Sequence, residues 1–190
     1  MIKTKIPVLP LALLLFAIGF GGRIILHDYH NFETVMVSVF LAAMLLPSSI
    51  ALVVTLSIMI LSDLYLGYFG ASRILFFTYT GFALVSAVTS KYNKVLSGGF
   101  SAGTLYKFSS SGIIFALIYD TWTNFGVFWL GYSHTVENLF LVYALGLPFM
   151  LYHLLSSIVT FSLIGFPVYS ILTKRLESVN VEDNKQKLEL

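Results

Sequence analysis

The sequence predicts an all-α fold, a polytopic membrane protein built as one bundle of six transmembrane helices. Of its 190 residues, 57% are hydrophobic and only 11% are charged, whereas soluble chains average about 25% charged residues. The length leaves room for about six apolar spans of the ~20 residues that a helix needs to cross a bilayer. No separate soluble domain fits beside them, so residues 1–173 are predicted to form a single membrane domain.

Prolines, glycines and polar clusters mark the ends of the spans. Pro7 suits the first turn of a helix, where its missing N–H has no partner to lose. The apolar run over residues 138–172 is too long for one span of ~20 residues, so Pro148 is predicted to separate a short surface helix, 138–147, from the last span. The charged residues 174–190 are predicted to be a disordered tail. The predicted spans are 6–22, 34–46, 48–66, 74–90, 113–131 and 149–172.

The distribution of lysine and arginine predicts the orientation. Cytoplasmic connections are enriched in these residues, and with six spans nine of the 11 fall on the side that holds both termini. Arg23 and Arg73 are the other two. The sequence therefore predicts a multi-pass protein of the plasma membrane with both termini in the cytoplasm.

The fifth span carries polar side chains in its middle. Asp120 and Asn124 are four residues apart in the apolar segment 113–131, so they share one face of a helix, with Thr123 beside them. An ionisable group inside a span costs roughly 3 kcal/mol on insertion scales and usually faces a bundle interior or a water-filled cavity. Two interpretations remain open, a hydrogen bond between helices and a ligand or ion site.

Further polar and aromatic residues fall at the predicted outer ends of the spans. An apolar pocket with a few polar anchors is the usual composition of a small-molecule site. Two simpler explanations stand beside a binding site: tyrosine and tryptophan favour the membrane interface in general, and Asp63 could pair with Arg73. The predicted substrate-binding residues are Arg23, Asn31, Asp63, Tyr68, Asp120, Asn124 and Trp129.

The sequence offers little support for an enzyme, a metal site or a nucleic-acid-binding protein. His27 and His30 could bind Zn²⁺ or Ni²⁺, although histidines on a surface loop are more often just solvated. Hydrolytic motifs and a P-loop are missing, and Asp120 with His134 is the single acid–base candidate. With no cysteine and a net charge of only +2, we expect no cofactor, no thiolate site and no nucleic-acid partner.

Several short motifs carry a family resemblance, which covers roughly residues 20–170. The chain resembles a family of small, uncharacterised six-span membrane proteins assigned to transport. That family is similar in layout to the S components of energy-coupling factor (ECF) vitamin transporters. The motifs, in chain order, are Arg23 with Asn31-Phe32, Leu61-Ser62-Asp63 with Gly67, Thr123-Asn124-Phe125-Gly126-Val127, and Pro148-Phe149.

The resemblance implies a six-helix bundle that captures a small molecule, such as a vitamin, at its outer face. It also implies a transmembrane coupling protein and ATPase subunits as partners. A second hypothesis is a non-transporting membrane scaffold with a similar bundle. In that case Asp63 and Asp120 would pair with Arg73 and Arg23 inside the bundle and leave no cavity.

Overall fold

The computed structural model describes residues 7–29 and 34–174, and within these ranges the protein is helical with no β-strand. Six α-helices are followed by a π-helical segment, from which the chain continues as helix to Lys174. The elements are α1 (Val8–Ile25), α2 (Val35–Leu45), α3 (Ser48–Leu66), α4 (Leu75–Leu96), α5 (Ala102–Gly131), α6 (Val136–Thr160) and the π-segment (Phe161–Gly165).

The prediction of an all-helical membrane bundle is confirmed. Four helical stretches among the described residues are long and apolar enough to cross a membrane: α1, α3, α5 and Val136–Lys174. The predicted second span corresponds to α2, which has only 11 residues. The tail over residues 175–190, predicted to be disordered, lies outside the described residues.

Neighbouring helices run antiparallel, which gives the bundle two ends. The distal end holds the α1–α2, α3–α4 and α5–α6 connections, and it brings Arg23 of α1 next to Asp63 of α3. The terminal end holds Pro7, Lys174 and the other two connections. There Nζ of Lys107 in α5 donates to the carbonyl oxygen of Val95 in α4, 2.9 Å away.

The short helix α2 lies at the centre of the bundle. Ten of its 11 residues are buried, and it contacts α1, α3, α4, α5, α6 and the π-segment. Phe40 is fully buried and packs against the rings of Phe108, Phe115 and Phe161 at centroid distances of 4.9, 5.7 and 5.0 Å. A helix that is apolar all round belongs inside a bundle, because each of its faces needs an apolar neighbour.

Glycines let α1 approach α2 closely. Side chains of other helices occupy the space that a Cβ atom would fill, Ile58 and Ser38 at Gly19 and Thr34 at Gly22. Both hydroxyls donate to carbonyl oxygens of α1, and Oγ1 of Thr34 lies 2.6 Å from that of Ile18. Small residues at a contact and hydroxyls that bond across it are the usual means by which membrane helices associate.

The prediction that Pro148 ends a helix is wrong. Pro148 lies inside α6, and the helix runs on from Val136 to Lys174 over 39 residues. Membrane helices tolerate proline where neighbouring groups compensate for the lost hydrogen bond. The segment before Pro148 is held by packing, since Gly146 lies against the side chain of Asn124 on α5. At ~1.5 Å per residue, 39 residues span about 58 Å, so this helix is longer than the ~30 Å hydrocarbon core.

The fifth helix also begins earlier than the predicted span. Residues 102–112 lie outside the predicted fifth span, 113–131, yet they form the first three turns of α5. Ser101 caps this end, because its side chain accepts a hydrogen bond from the backbone N–H of Thr104 at 3.2 Å. Serine is a preferred N-cap because its oxygen satisfies a donor that the first turn leaves without a partner.

Candidate functional site

Arg23 and Asp63 form an ion pair at the distal end of the bundle. Nη2 of Arg23 lies 2.8 Å from Oδ1 of Asp63, whose side chain is completely buried. Nη1 of Arg23 donates to Oγ of Ser62 at 2.9 Å, and the Tyr79 hydroxyl donates to Oδ2 of Asp63 at 2.7 Å. These four side chains, which we call the arginine network, therefore connect α1, α3 and α4.

The arginine network corrects two predicted pairings. The suggested partner of Asp63 was Arg73, but Arg73 is exposed in the α3–α4 connection, and Asp63 pairs with Arg23 instead. The scaffold hypothesis paired Asp120 with Arg23, whereas Asp120 bonds to His153. The antiparallel order explains the first result, because it brings the ends of α1 and α3 together at the distal end.

Asp120 and His153 form a second buried pair, between α5 and α6. Nδ1 of His153 donates to Oδ1 of Asp120 at 2.6 Å, and only 5% of Asp120 is exposed. The ring of Tyr119 meets the His153 ring edge-on at a centroid distance of 5.7 Å. Oδ2 of Asp120 is also buried, and it accepts no hydrogen bond from the described residues. One carboxylate oxygen is thus bonded and the other still lacks a donor.

His153 is the residue of this buried pair that the sequence did not point to. The acid–base candidate there was His134, but Nε2 of His134 donates to the carbonyl oxygen of Trp129 at 3.1 Å, and its ring stacks on the Trp129 ring. The available signal was the position of His153 within the apolar run 138–172. A polar ring at that depth needs a hydrogen-bonding partner, and Asp120 is the buried acid on the neighbouring helix.

The other predicted site residues are spread over the distal half of the bundle. The amide of Asn124 packs against Gly146 of α6, beside the pair formed by Asp120. Tyr68 is 44% exposed and Trp129 is 54% exposed. Asn31 lies outside the described residues. The structure thus brings Arg23 and Asp63 together at one place, and Asp120 and Asn124 together at another.

His27, one of the two histidines weighed as metal ligands, has other contacts. Nδ1 of His27 lies 3.0 Å from Oδ1 of Asp28, and Nε2 lies 2.9 Å from the hydroxyl of Tyr68. Within residues 7–29 and 34–174, no three side chains of the metal-binding types come together. His30 is outside these ranges, so a site that depends on it is not tested.

Two open apolar grooves lie side by side on the surface of α5. The larger, about 560 Å³, runs between α4, α5 and α6, and its lining includes Leu84, Leu117 and Tyr143. The smaller, about 200 Å³, is lined only by aromatic side chains, and we call it the aromatic groove. Its lining residues are Phe76, Phe77, Trp122, Phe125 and Trp129. Neither groove has a charged side chain in its lining.

Comparison with known proteins gives a family and no activity. A family model described as "Family of unknown function (DUF6580)" matches residues 2–180. The chain belongs to this family. No curated protein and no solved structure matches it. In this DUF6580 member, the two buried pairs and the grooves are the features that bear on function.

Proposed function

We propose that this chain is a membrane transport protein of the substrate-capture type, and that Asp120 provides its polar contact to a small molecule. The observation that carries the proposal is the buried Oδ2 of Asp120, which accepts no hydrogen bond from the described residues. A buried polar group without a partner costs free energy. A ligand that reaches this oxygen and supplies the missing donor would remove that cost.

The chemistry of the pair defines the ligand in part. The bond from His153 leaves Oδ2 of Asp120 as an acceptor, so the ligand would present an N–H, an O–H or a positive charge to it. The neighbouring amide of Asn124 is one helical turn away on the same face of α5 and could add a second polar contact.

The proposal keeps the likeness to ECF S components. On that reading, the protein lies in the plasma membrane with both termini in the cytoplasm and captures a small molecule, such as a vitamin, from outside. A transmembrane coupling protein and ATPase subunits would supply the energy, since the sequence has no P-loop of its own. We propose no catalytic activity for the chain.

Two substitutions test the proposal, one at Asp120 and a control at the other buried acid, Asp63. Asp120→Asn keeps the shape and the oxygen that faces His153, but it turns the unbonded acceptor into a donor. Asp63→Asn is the matched control, because it removes the same charge from an equally buried acid of the arginine network. Native mass spectrometry of the purified proteins measures a retained small molecule, and thermal unfolding measures stability.

We expect Asp120→Asn to lose the retained molecule and to unfold near the wild-type temperature. Asp63→Asn should keep the molecule and unfold at a lower temperature, because the charge of Arg23 loses its partner. If Asp120→Asn lowers the unfolding temperature while any bound molecule stays, Asp120 is a structural bridge and the transport proposal fails.

A scaffold function is the second candidate, and the arginine network favours it. Arg23, Ser62, Asp63 and Tyr79 bond to one another and join three helices, as expected of a bundle that maintains a shape. A scaffold would copurify with partner membrane proteins in mild detergent and would retain no small molecule. Recovery of such partners from wild-type and Asp120→Asn protein alike would favour it.

A further inference from the structure

The aromatic groove is unusual in its composition. Aromatic residues make up 16% of the chain and hydrophobic residues 57%, so a groove lined at random by apolar side chains would be mostly aliphatic. All five lining residues are instead aromatic: Phe76 and Phe77 of α4 and Trp122, Phe125 and Trp129 of α5. The two tryptophans of the sequence are both among them.

The rings are arranged as two walls. Along α5, the rings of Trp122, Phe125 and Trp129 follow one another at centroid distances of 6.1 and 5.9 Å with interplanar angles of 23° and 29°. On α4, the rings of Phe76 and Phe77 stand nearly perpendicular, at 88°. The ring of Phe77 closes the corner, 5.2 Å from that of Trp122. Phe77 is only 7% exposed, so this corner is packed and does not depend on loose surface side chains.

This arrangement favours a particular kind of cation. The face of an aromatic ring is electron-rich and attracts a cation within about 6 Å of its centroid. The groove offers no carboxylate, so a small, strongly hydrated ion would find nothing to replace its water. A quaternary ammonium spreads its charge over methyl groups, and those groups suit an apolar wall. Cages of aromatic rings are the known means of binding such groups.

Among the described residues, no lysine or arginine lines the aromatic groove, and the ring of His134 stacks on that of Trp129. Among residues 7–29 and 34–174, the cation–π contacts pair Lys91 with Tyr92 and Lys174 with Phe100, both toward the terminal end. The groove lies at the distal end, because Phe76 is the second residue of α4 and Trp129 lies two residues before the end of α5. At that height on a membrane-spanning bundle, a groove meets the lipid headgroups and the water beyond them.

We propose that the aromatic groove binds a quaternary ammonium group. Two sources share this chemistry: the choline headgroup of a membrane lipid, and a soluble organic cation. The site is separate from the proposed capture site, because Asp120 does not line the groove and faces α6. If the aromatic groove binds no quaternary ammonium group, the proposal for Asp120 is therefore unaffected.

Tryptophan fluorescence provides the measurement, because Trp122 and Trp129 are the only tryptophans of the chain and both line the aromatic groove. Trp122 also lines the larger groove, so variants are needed to assign the response. The purified protein, in an alkyl maltoside detergent that carries no ammonium, is titrated with tetramethylammonium chloride at constant ionic strength. Choline is titrated next, and then 3,3-dimethylbutan-1-ol, which has the shape of choline without its charge. We expect saturable changes with the two cations and none with the neutral alcohol.

A matched pair of phenylalanine substitutions assigns the response to the groove. Phe76 is 65% exposed and Phe140, on α6 outside the groove, is 71% exposed, so leucine at either position should leave the fold intact. Phe76→Leu should raise the half-saturating concentration about two- to fivefold, which corresponds to the loss of one cation–π contact at an exposed site. Phe140→Leu should not change it. Trp129→Leu gives a second test in which Trp122 alone reports.

Three results would overturn the proposal: equal saturation by the neutral alcohol, no saturable response to the cations, or an unchanged titration in both groove variants. Reconstitution into vesicles distinguishes the two sources of the quaternary ammonium group, a lipid headgroup and a soluble cation. If phosphatidylcholine vesicles weaken tetramethylammonium binding relative to vesicles of an uncharged galactolipid, the site holds a lipid headgroup. If binding is the same in both, the site serves a soluble cation.

Discussion

Replacing Arg23 with alanine should destabilise the bundle strongly. The side chain of Asp63 is completely buried, and Nη2 of Arg23 lies 2.8 Å from it. Removal of one partner of a buried pair leaves an uncompensated charge, which typically costs about 3–5 kcal/mol. The hydrogen bond from Tyr79 to Asp63 does not involve Arg23 and is present in both forms, so it leaves this difference unchanged. For a chain of this size, each 1 kcal/mol lowers the unfolding temperature by about 2–4 °C.

We therefore expect Arg23→Ala to unfold roughly 6–20 °C below the wild type, as measured by circular dichroism during heating in detergent. The control is a triple substitution, Arg23→Met, Asp63→Leu and Tyr79→Phe, which replaces the charges and the remaining hydroxyl with apolar groups of similar size. Such replacements are often neutral, so the triple variant should recover most of the lost stability. If Arg23→Ala unfolds at the wild-type temperature, the buried carboxylate of Asp63 does not need Arg23 to compensate its charge.

Two further predictions follow from the helix contacts and from the charge distribution. Gly22→Ala should lower the free energy of unfolding by about 1–3 kcal/mol, because its Cβ atom would meet the Thr34 side chain and displace a buried hydrogen bond. Gly21→Ala, where a Cβ atom meets nothing within 4 Å, should be neutral or slightly stabilising in the same thermal assay. Since the chain has no cysteine, single cysteines at Ser97 and Ser133 can be labelled with impermeant reagents, and only Ser133→Cys should react from outside. Labelling of both in intact cells would contradict the predicted orientation.

Local signals in the sequence predicted much of the fold. Helix α3 has the predicted bounds, Ser48–Leu66, because Pro47 precedes it and Gly67 follows it with a φ of 77°. A left-handed glycine is a reliable helix stop, since other residues resist that conformation. Pro148 misled the prediction because the effect of an internal proline depends on packing against α5, which the local sequence does not contain.

The candidate site was predicted in part for a similar reason. The buried acids Asp63 and Asp120 could be found from the sequence, because an ionisable group in an apolar span always requires a partner. The partners themselves are set by the order and direction of the helices. Arg23 is 40 positions away from Asp63, and His153 is 33 positions away from Asp120, so neither pairing follows from local spacing.

The buried position of α2 has a consequence for how the protein enters the membrane. With 11 residues, α2 extends only about 16 Å, roughly half of the hydrocarbon thickness. The insertion machinery recognises spans of about 20 apolar residues, so α2 is too short to be held in the bilayer alone. It therefore has to enter as one arm of a hairpin with α1 or α3. A longer α2 would insert more efficiently, but it would be separated from the neighbours that bury it. Efficient insertion therefore favours a longer α2, whereas the folded bundle requires a short one.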